Sequence, residues 1–173
     1  MIFVGLGANL PGPGGRSPTA SLEAALAALG GRGVAVRHRS RWWCSAPVPA
    51  SDQPRFVNAV AEVETALDPA ARLAGRHEVE AAFGRVRGVP NAARTCDLDL
   101  LDYDGRIAAG GASGAGPILP HPRMGERLFV LRPLAEIAPG WVHPVTGRTV
   151  EAMIEAAPGD QRCVPLEDCR PAP

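Results

Sequence analysis

Phe56-Val57-Asn58-Ala59-Val60-Ala61-Glu62-Val63-Glu64-Thr65, with Asp68-Pro69 close behind, decides the fold. Val57, Ala59, Ala61 and Val63 fall on alternate positions, so one face of an extended strand is continuously apolar. Asp68-Pro69 then opens a helix, with a capping acid and a proline whose missing N–H is harmless at the first helical position. Gly84 ends that helix after Phe83. The same grammar stands upstream. Ile2 to Leu6 is a short apolar run closed by glycine, as in a buried strand. Ser17-Pro18 starts a helix carrying Leu22, Ala25, Leu26 and Leu29 at helical spacing, and Gly30-Gly31 stops it. Val34 to Ser45 reads as one strand, Thr95 to Tyr103 as another, and Asp104-Gly105 is a hairpin signal.

The order β-α-β-β-α-β predicts an α/β (α+β) fold, a ferredoxin-like antiparallel sheet with helices on one face. Short helices are expected over Glu126 to Ala135 and Thr149 to Ala156, and strands after the first six elements would extend that core. Ala108 to Gly116 is almost entirely Gly, Ala and Ser and predicts a mobile surface loop. A length of 173 residues suits one domain with a full core. Residues 1–157 are expected to be that single catalytic domain, and 158–173 a peripheral tail.

Composition narrows the chemistry. The apolar fraction of 46% and charged fraction of 21% are those of an ordinary globule. Net charge is zero, which gives no reason to expect nucleic acid or a membrane surface as partner. No run approaches membrane-spanning length and no signal-peptide pattern leads the chain, so the cytoplasm is the expected location. All 18 basic residues are Arg. A P-loop and Schiff-base chemistry both need a Lys, so any phosphate must be handled by guanidinium forks. Cys44 and Cys96 stand in strand-like stretches and read as buried, inert thiols, whereas Cys163 and Cys169 stay open.

Gly84-Arg85-Val86-Arg87 followed by Arg94-Thr95-Cys96-Asp97-Leu98-Asp99 is the segment richest in chemistry. Residues two apart in a strand share a face, so Asp97 and Asp99 project together and Leu98 and Leu100 face the core. Paired carboxylates seat magnesium, which takes one or two carboxylates plus substrate phosphates. Arg85, Arg87 and Arg94 bracket the adjoining loop, placing cations beside anions as a metal-bridged triphosphate requires. Pro120-His121-Pro122 sets a histidine on a stiff turn, with Arg127 at the start of a helix. Asn58 near Phe56 offers an amide that can read a heterocycle's donors and acceptors, beside a ring that can stack on it.

Taken in order, these motifs resemble the 6-hydroxymethyl-7,8-dihydropterin pyrophosphokinases. The resemblance runs from Gly5-Leu6-Gly7-Ala8-Asn9-Leu10 through Asp52-Gln53-Pro54, the Arg-rich and Asp-x-Asp segments, to Pro120-His121 with Met124, Arg127 and Phe129. It implies transfer of pyrophosphate from ATP to the pterin hydroxymethyl group, releasing AMP, on the way to folate. It implies two magnesium ions on Asp97 and Asp99, with Arg85 and Arg94 in the catalytic set. ATP would meet His77, Glu80, Arg87, His121 and Arg127, and the pterin would meet Ser45, Ala46, Val48, Phe56, Asn58 and Phe129. A monomer is expected. The segment Gly88 to Ala93 departs from the family in carrying no Trp, and His77 stands where Gln is usual. Two other classes share some of these features: a magnesium-dependent phosphohydrolase on the same carboxylates, and a non-enzymatic RNA-binding module. The zero net charge and few aromatics speak against the second.

Overall fold

The computed structural model describes residues 1–85, 92–110 and 116–169, without the side chains of 70–74. Alternation along the first strand builds two cores at once. In β1 (Ile2–Ala8), Ile2, Val4, Leu6 and Ala8 enter one core and Phe3 the other. β4 (Phe56–Glu64) runs antiparallel along one side of β1 and β5 (Asp97–Tyr103) along its other side. α1 (Pro18–Gly30) begins where Ser17 Oγ accepts from Ala20 N–H at 3.3 Å, and it buries Leu22, Ala25, Leu26 and Leu29 in the first core. α2 (Pro69–Ala82) adds Val79 to the same core. The other core lies across the sheet. There Phe3, Val60 and Leu101 pack on Val130, Leu131 and Leu134 of α3 (Leu128–Ile137) and on Val150 and Met153 of α4 (Val150–Ala156). The first two helices thus cover one sheet face, and the C-terminal pair covers the other.

The stretch read as one strand is two, β2 (Ala35–Arg39) and β3 (Trp43–Ser45), both laid on the same edge of β4. The break is at Ser40, whose N–H donates to the Val60 carbonyl at 2.9 Å while its Oγ accepts from Val60 N–H at 3.1 Å. One side chain therefore stands in for a ladder rung and lets the strand step. The sheet order is β5-β1-β4-β3, with β2 also on β4, which is the ferredoxin-like arrangement. Ser40→Ala should cost about 1–3 kcal/mol, because it orphans a buried N–H. Denaturant unfolding measures this, and a loss under about 0.5 kcal/mol would show that the hydroxyl is dispensable.

Four further differences from expectation have local causes. Asp104 and Gly105 do form a left-handed turn, at φ 52° and 67°, but it closes no hairpin on β5. Instead β6 (Ala108–Ala109), inside the expected loop, pairs with β7 (Ile118–Leu119), and residues 111–115 lie outside the described residues. The helix expected from Glu126 begins at Leu128, after a short 3-10 turn at Met124–Glu126. Part of the expected tail joins the sheet as β8 (Cys163–Pro165), antiparallel to β3. That ladder brings Cys169 to Cys44 as a disulfide, Cα atoms 5.9 Å apart, so Cys44 is not the free thiol its strand context suggested. Cys96 and Cys163 remain free, and burial pushes their thiols up to about 12 and about 11. Among the described residues no helix is long and apolar enough to cross a membrane.

Candidate active site

On the α3 side of the sheet, β1 presents Phe3, then Gly5 and Gly7. Phe3 fills the core, while the two glycines leave the floor of a cleft open. A Cβ on Gly5 would meet Leu101 at 3.4 Å, and one on Gly7 would meet Asn58 Oδ1 at 3.4 Å, so any side chain there would intrude on the cleft. The registers place Asn58, Gly7 and Asp97 in one row across the sheet, and Val60, Gly5 and Asp99 in the next. The amide and the carboxylates thus flank the glycine strand, two strand spacings or about 10 Å apart. The cleft has a volume of about 760 Å³ including its open mouth. That is room for a small bicyclic ligand beside a phosphate chain.

Ten of the residues singled out in the sequence line this cleft. Ser45, Ala46, Val48, Phe56, Asn58 and Phe129 form one end, and Arg94, Asp97, Asp99 and Arg127 the other. Asn58 is buried, and its Nδ2 donates to Ser45 Oγ at 3.0 Å, which fixes the amide's orientation. Arg127 lies over the Phe129 ring, 5.4 Å from its centroid.

The charged end is organised by the close of α2. Gly84 N–H bonds to the Ala81 carbonyl and Arg85 N–H to the Glu80 carbonyl, with Gly84 at φ 79°. This is a Schellman turn, and it folds Arg85 back over the helix end. Arg85 Nη1 then donates to both Glu80 Oε1 and Asp97 Oδ1, and Arg94 Nη1 donates to Asp97 Oδ2. Glu80, expected at the nucleotide, is 1% exposed and also accepts from Leu98 N–H at 2.9 Å. Its place is behind Arg85, as a buried support. Asp99 accepts from Arg76 Nη1 at 2.8 Å, and His121 Nε2 lies 3.9 Å from its other oxygen. His77 stands beside Arg76, its Nε2 3.1 Å from Nη2, and Arg87 lies outside the described residues.

Burial pushes the Asp99 carboxyl up, but Arg76 first, then His121, Arg127 and Arg85, outweigh it and hold the group below the usual carboxylate range. Burial also pushes the His121, Arg94 and Arg127 values down. The site's positive charge therefore comes chiefly from guanidinium groups.

Two contributors were not assigned from sequence. Arg76 lies one helical turn before Glu80, on the α2 face turned to β5, a spacing that could have flagged it. Asn9 is 4% exposed and ties three segments together. Its Nδ2 donates to Gln53 Oε1 at 3.2 Å and to the Pro54 carbonyl at 3.1 Å, and its Oδ1 accepts from Arg94 N–H at 2.7 Å. It thereby links the loop before β4 to the backbone of the arginine at the carboxylates.

Among the described residues no group of three or more His, Cys, Asp or Glu could hold a metal ion by itself. Two carboxylates on one wall of a cleft are a sufficient protein share for magnesium, which keeps water and takes substrate phosphates for its remaining ligands. The donor set, all oxygen, fits that ion.

Residues 3–139 match the family model described as 7,8-dihydro-6-hydroxymethylpterin-pyrophosphokinase. A 2-amino-4-hydroxy-6-hydroxymethyldihydropteridine pyrophosphokinase of Methylorubrum extorquens is 38% identical over 158 residues, 90% of this chain and 93% of the relative. The protein of the same name from Synechocystis is 38% identical over 152 residues, 88% of this chain and 73% of the relative. The folic acid synthesis protein fol1 of Pneumocystis carinii is 35% identical over 89% of this chain, but the match spans only 20% of that longer protein. Among solved structures, a Plasmodium falciparum HPPK-DHPS aligns with TM-score 0.65 and 12% identity, over 90% of this chain and 42% of that one, a likeness of fold.

Proposed function

The chain belongs to the 7,8-dihydro-6-hydroxymethylpterin-pyrophosphokinase family, and we propose that the cleft between Asn58 and the Asp97–Asp99 pair is where it transfers pyrophosphate from ATP to the hydroxymethyl-dihydropterin of folate synthesis. The observation that carries this reading is the row Asn58–Gly7–Asp97. It sets an amide able to read a heterocycle and a carboxylate able to hold a cation on either side of a strand position with no side chain.

In this reading the pterin lies between Phe56 and Phe129, with its polar edge on Asn58 and its rim against Ser45, Ala46 and Val48. Its hydroxymethyl oxygen then points across Gly7 toward Asp97 and Asp99. ATP enters from the other end, along Arg127, His121 and His77, and Arg87 is proposed as a further ATP-binding residue. The hydroxymethyl oxygen gives up its proton to water and bonds to the β-phosphorus as the bridge to the α-phosphorus breaks and AMP leaves. Asp97 and Asp99 would hold two magnesium ions, whose charge would offset that of the phosphates and order the chain for in-line attack. Arg85 and Arg94, already converged on Asp97, stabilise the charge that grows on the departing phosphate. The chain works as a cytoplasmic monomer, residues 1–157 forming the catalytic unit.

Arg94 separates this reading from a simple anion site. Its backbone is clamped by Asn9 and its guanidinium rests on Asp97, so its full effect falls on the reacting complex. Arg94→Ala should lower kcat about a hundredfold with smaller changes in either KM, the signature of a contact made chiefly in the transition state. Arg94→Lys should recover only part, because an ammonium lacks the fork. Steady-state kinetics decides, and a raised KM for ATP at unchanged kcat would reduce Arg94 to ground-state binding. Titration calorimetry with a non-hydrolysable ATP analogue, with and without pterin and magnesium, tests the whole assignment.

A further inference from the structure

Arg76 is drawn into the charged end from α2 but belongs to none of the motifs above. Its Nη1 donates to Asp99 Oδ1 at 2.8 Å and to the Leu98 carbonyl, and its side chain is only 17% exposed. Among the described residues its buried Nε finds no hydrogen-bond partner. A structural arginine ordinarily satisfies its buried donors, because an orphaned N–H is costly. Here one donor is left over on a guanidinium that reaches a carboxylate at the cleft wall, the Leu98 carbonyl and His77.

We infer that Arg76 is a positioning residue that contests Asp99 with the divalent cation. A divalent ion and a guanidinium both seek the Asp99 oxygens, and two cations cannot share them without repulsion. Each ion that binds must therefore displace Arg76 or bear its charge at close range. In either case the arginine weakens metal binding while it holds Asp99 aimed at the cleft. The orphaned Nε lowers the cost of displacement, since a guanidinium that turns away can gain a partner for it. Arg76 thus sets how tightly the site holds its ion, a property separate from the chemistry of transfer. The inference rests on reading Asp97 and Asp99 as the metal ligands.

The test is Mn2+ affinity, read by electron paramagnetic resonance of the free ion, in the full-length protein. Arg76→Met keeps the stem and removes the charge, and should bind Mn2+ about tenfold more tightly than the wild type. Arg76→Lys keeps the charge and should stay within about twofold. A merely structural arginine would give the opposite sign, since disturbing Asp99 would loosen the ion. If Arg76→Met fails to fold, Arg76→Gln takes its place, retaining a donor for the Leu98 carbonyl. Binding by the neutral variant that equals or falls below wild type overturns the inference, and so does the absence of measurable binding by both. Asp99→Asn, added to Arg76→Met, should erase the gain. If the gain survives, the ion sits elsewhere and the ligand assignment itself is wrong. If the gain never arises while Asp99→Asn alone weakens binding, the ligands stand and only the role of Arg76 falls.

Discussion

Asp97→Asn is expected to lower kcat about a thousandfold while the protein still folds. Three functions meet on that carboxylate. Among the described residues it is one of two carboxylates lining the cleft, it receives Arg85 on one oxygen, and it receives Arg94 on the other. The amide of Asn keeps the shape but loses the charge, so the site would lose its proposed metal ligand and the anchor for both arginines together. Arg85 retains Glu80, which remains behind it, so the core beneath should survive. Thermal unfolding within a few degrees of wild type would establish that, and steady-state kinetics gives the rest. Turnover within about threefold of wild type would remove Asp97 from the mechanism.

Asn58→Ala should raise the KM for the pterin about a hundredfold and leave the affinity for an ATP analogue within about twofold. The asymmetry follows from position. Asn58 lines the cleft with Phe56 and Phe129, across Gly7 from the carboxylates, so on the proposed reading its amide edge faces the heterocycle and not the phosphates. A site built to pair a ligand's polar edge discriminates strongly, since a missing partner leaves buried groups unsatisfied. Asn58 also ties β4 to β3 through Ser45, and a purely structural role would act through that bond. Ser45→Ala separates the two cases. If it weakens the pterin as much as Asn58→Ala does, or if Asn58→Ala weakens both ligands alike, the amide is a strand tie and recognition lies elsewhere.

Much of this molecule is legible along the chain because its rules are local. Period-two alternation in Phe56–Glu64 and Asp97–Tyr103 needs only neighbours to express itself, and it correctly set Asp97 and Asp99 on one face and Leu98 and Leu100 on the other. The Ser17-Pro18 start and the Gly84 stop are likewise decided within one helical turn. The element order then left the ferredoxin-like sheet as the natural way to cover both helices, and the ordered motifs carried the family.

Partnerships across long separations were not legible. Asn9 clamps Arg94 from 85 residues away, Arg76 reaches Asp99 over 23, and Cys44 meets Cys169 across 125. Nothing in the immediate context of Asn9 or Cys44 distinguishes a clasp or a bridge from a surface amide or an inert thiol. Two of these pairings exist because strand register carries distant segments into contact, β1 beside β5 and β8 beside β3, and the third because α2 packs on β5. Glu80 shows the same limit from the other side. Its sequence position suggests a ligand contact, but the Schellman turn at Gly84 swings Arg85 in front of it and makes it a buried support. Local stereochemistry along the chain chose the strands, the helices and the residue types of the site. Which groups shield, aim or compete with one another was decided by sheet register and helix closure, because charge and hydrogen-bond energies depend on distance in space, and the chain alone does not specify that distance.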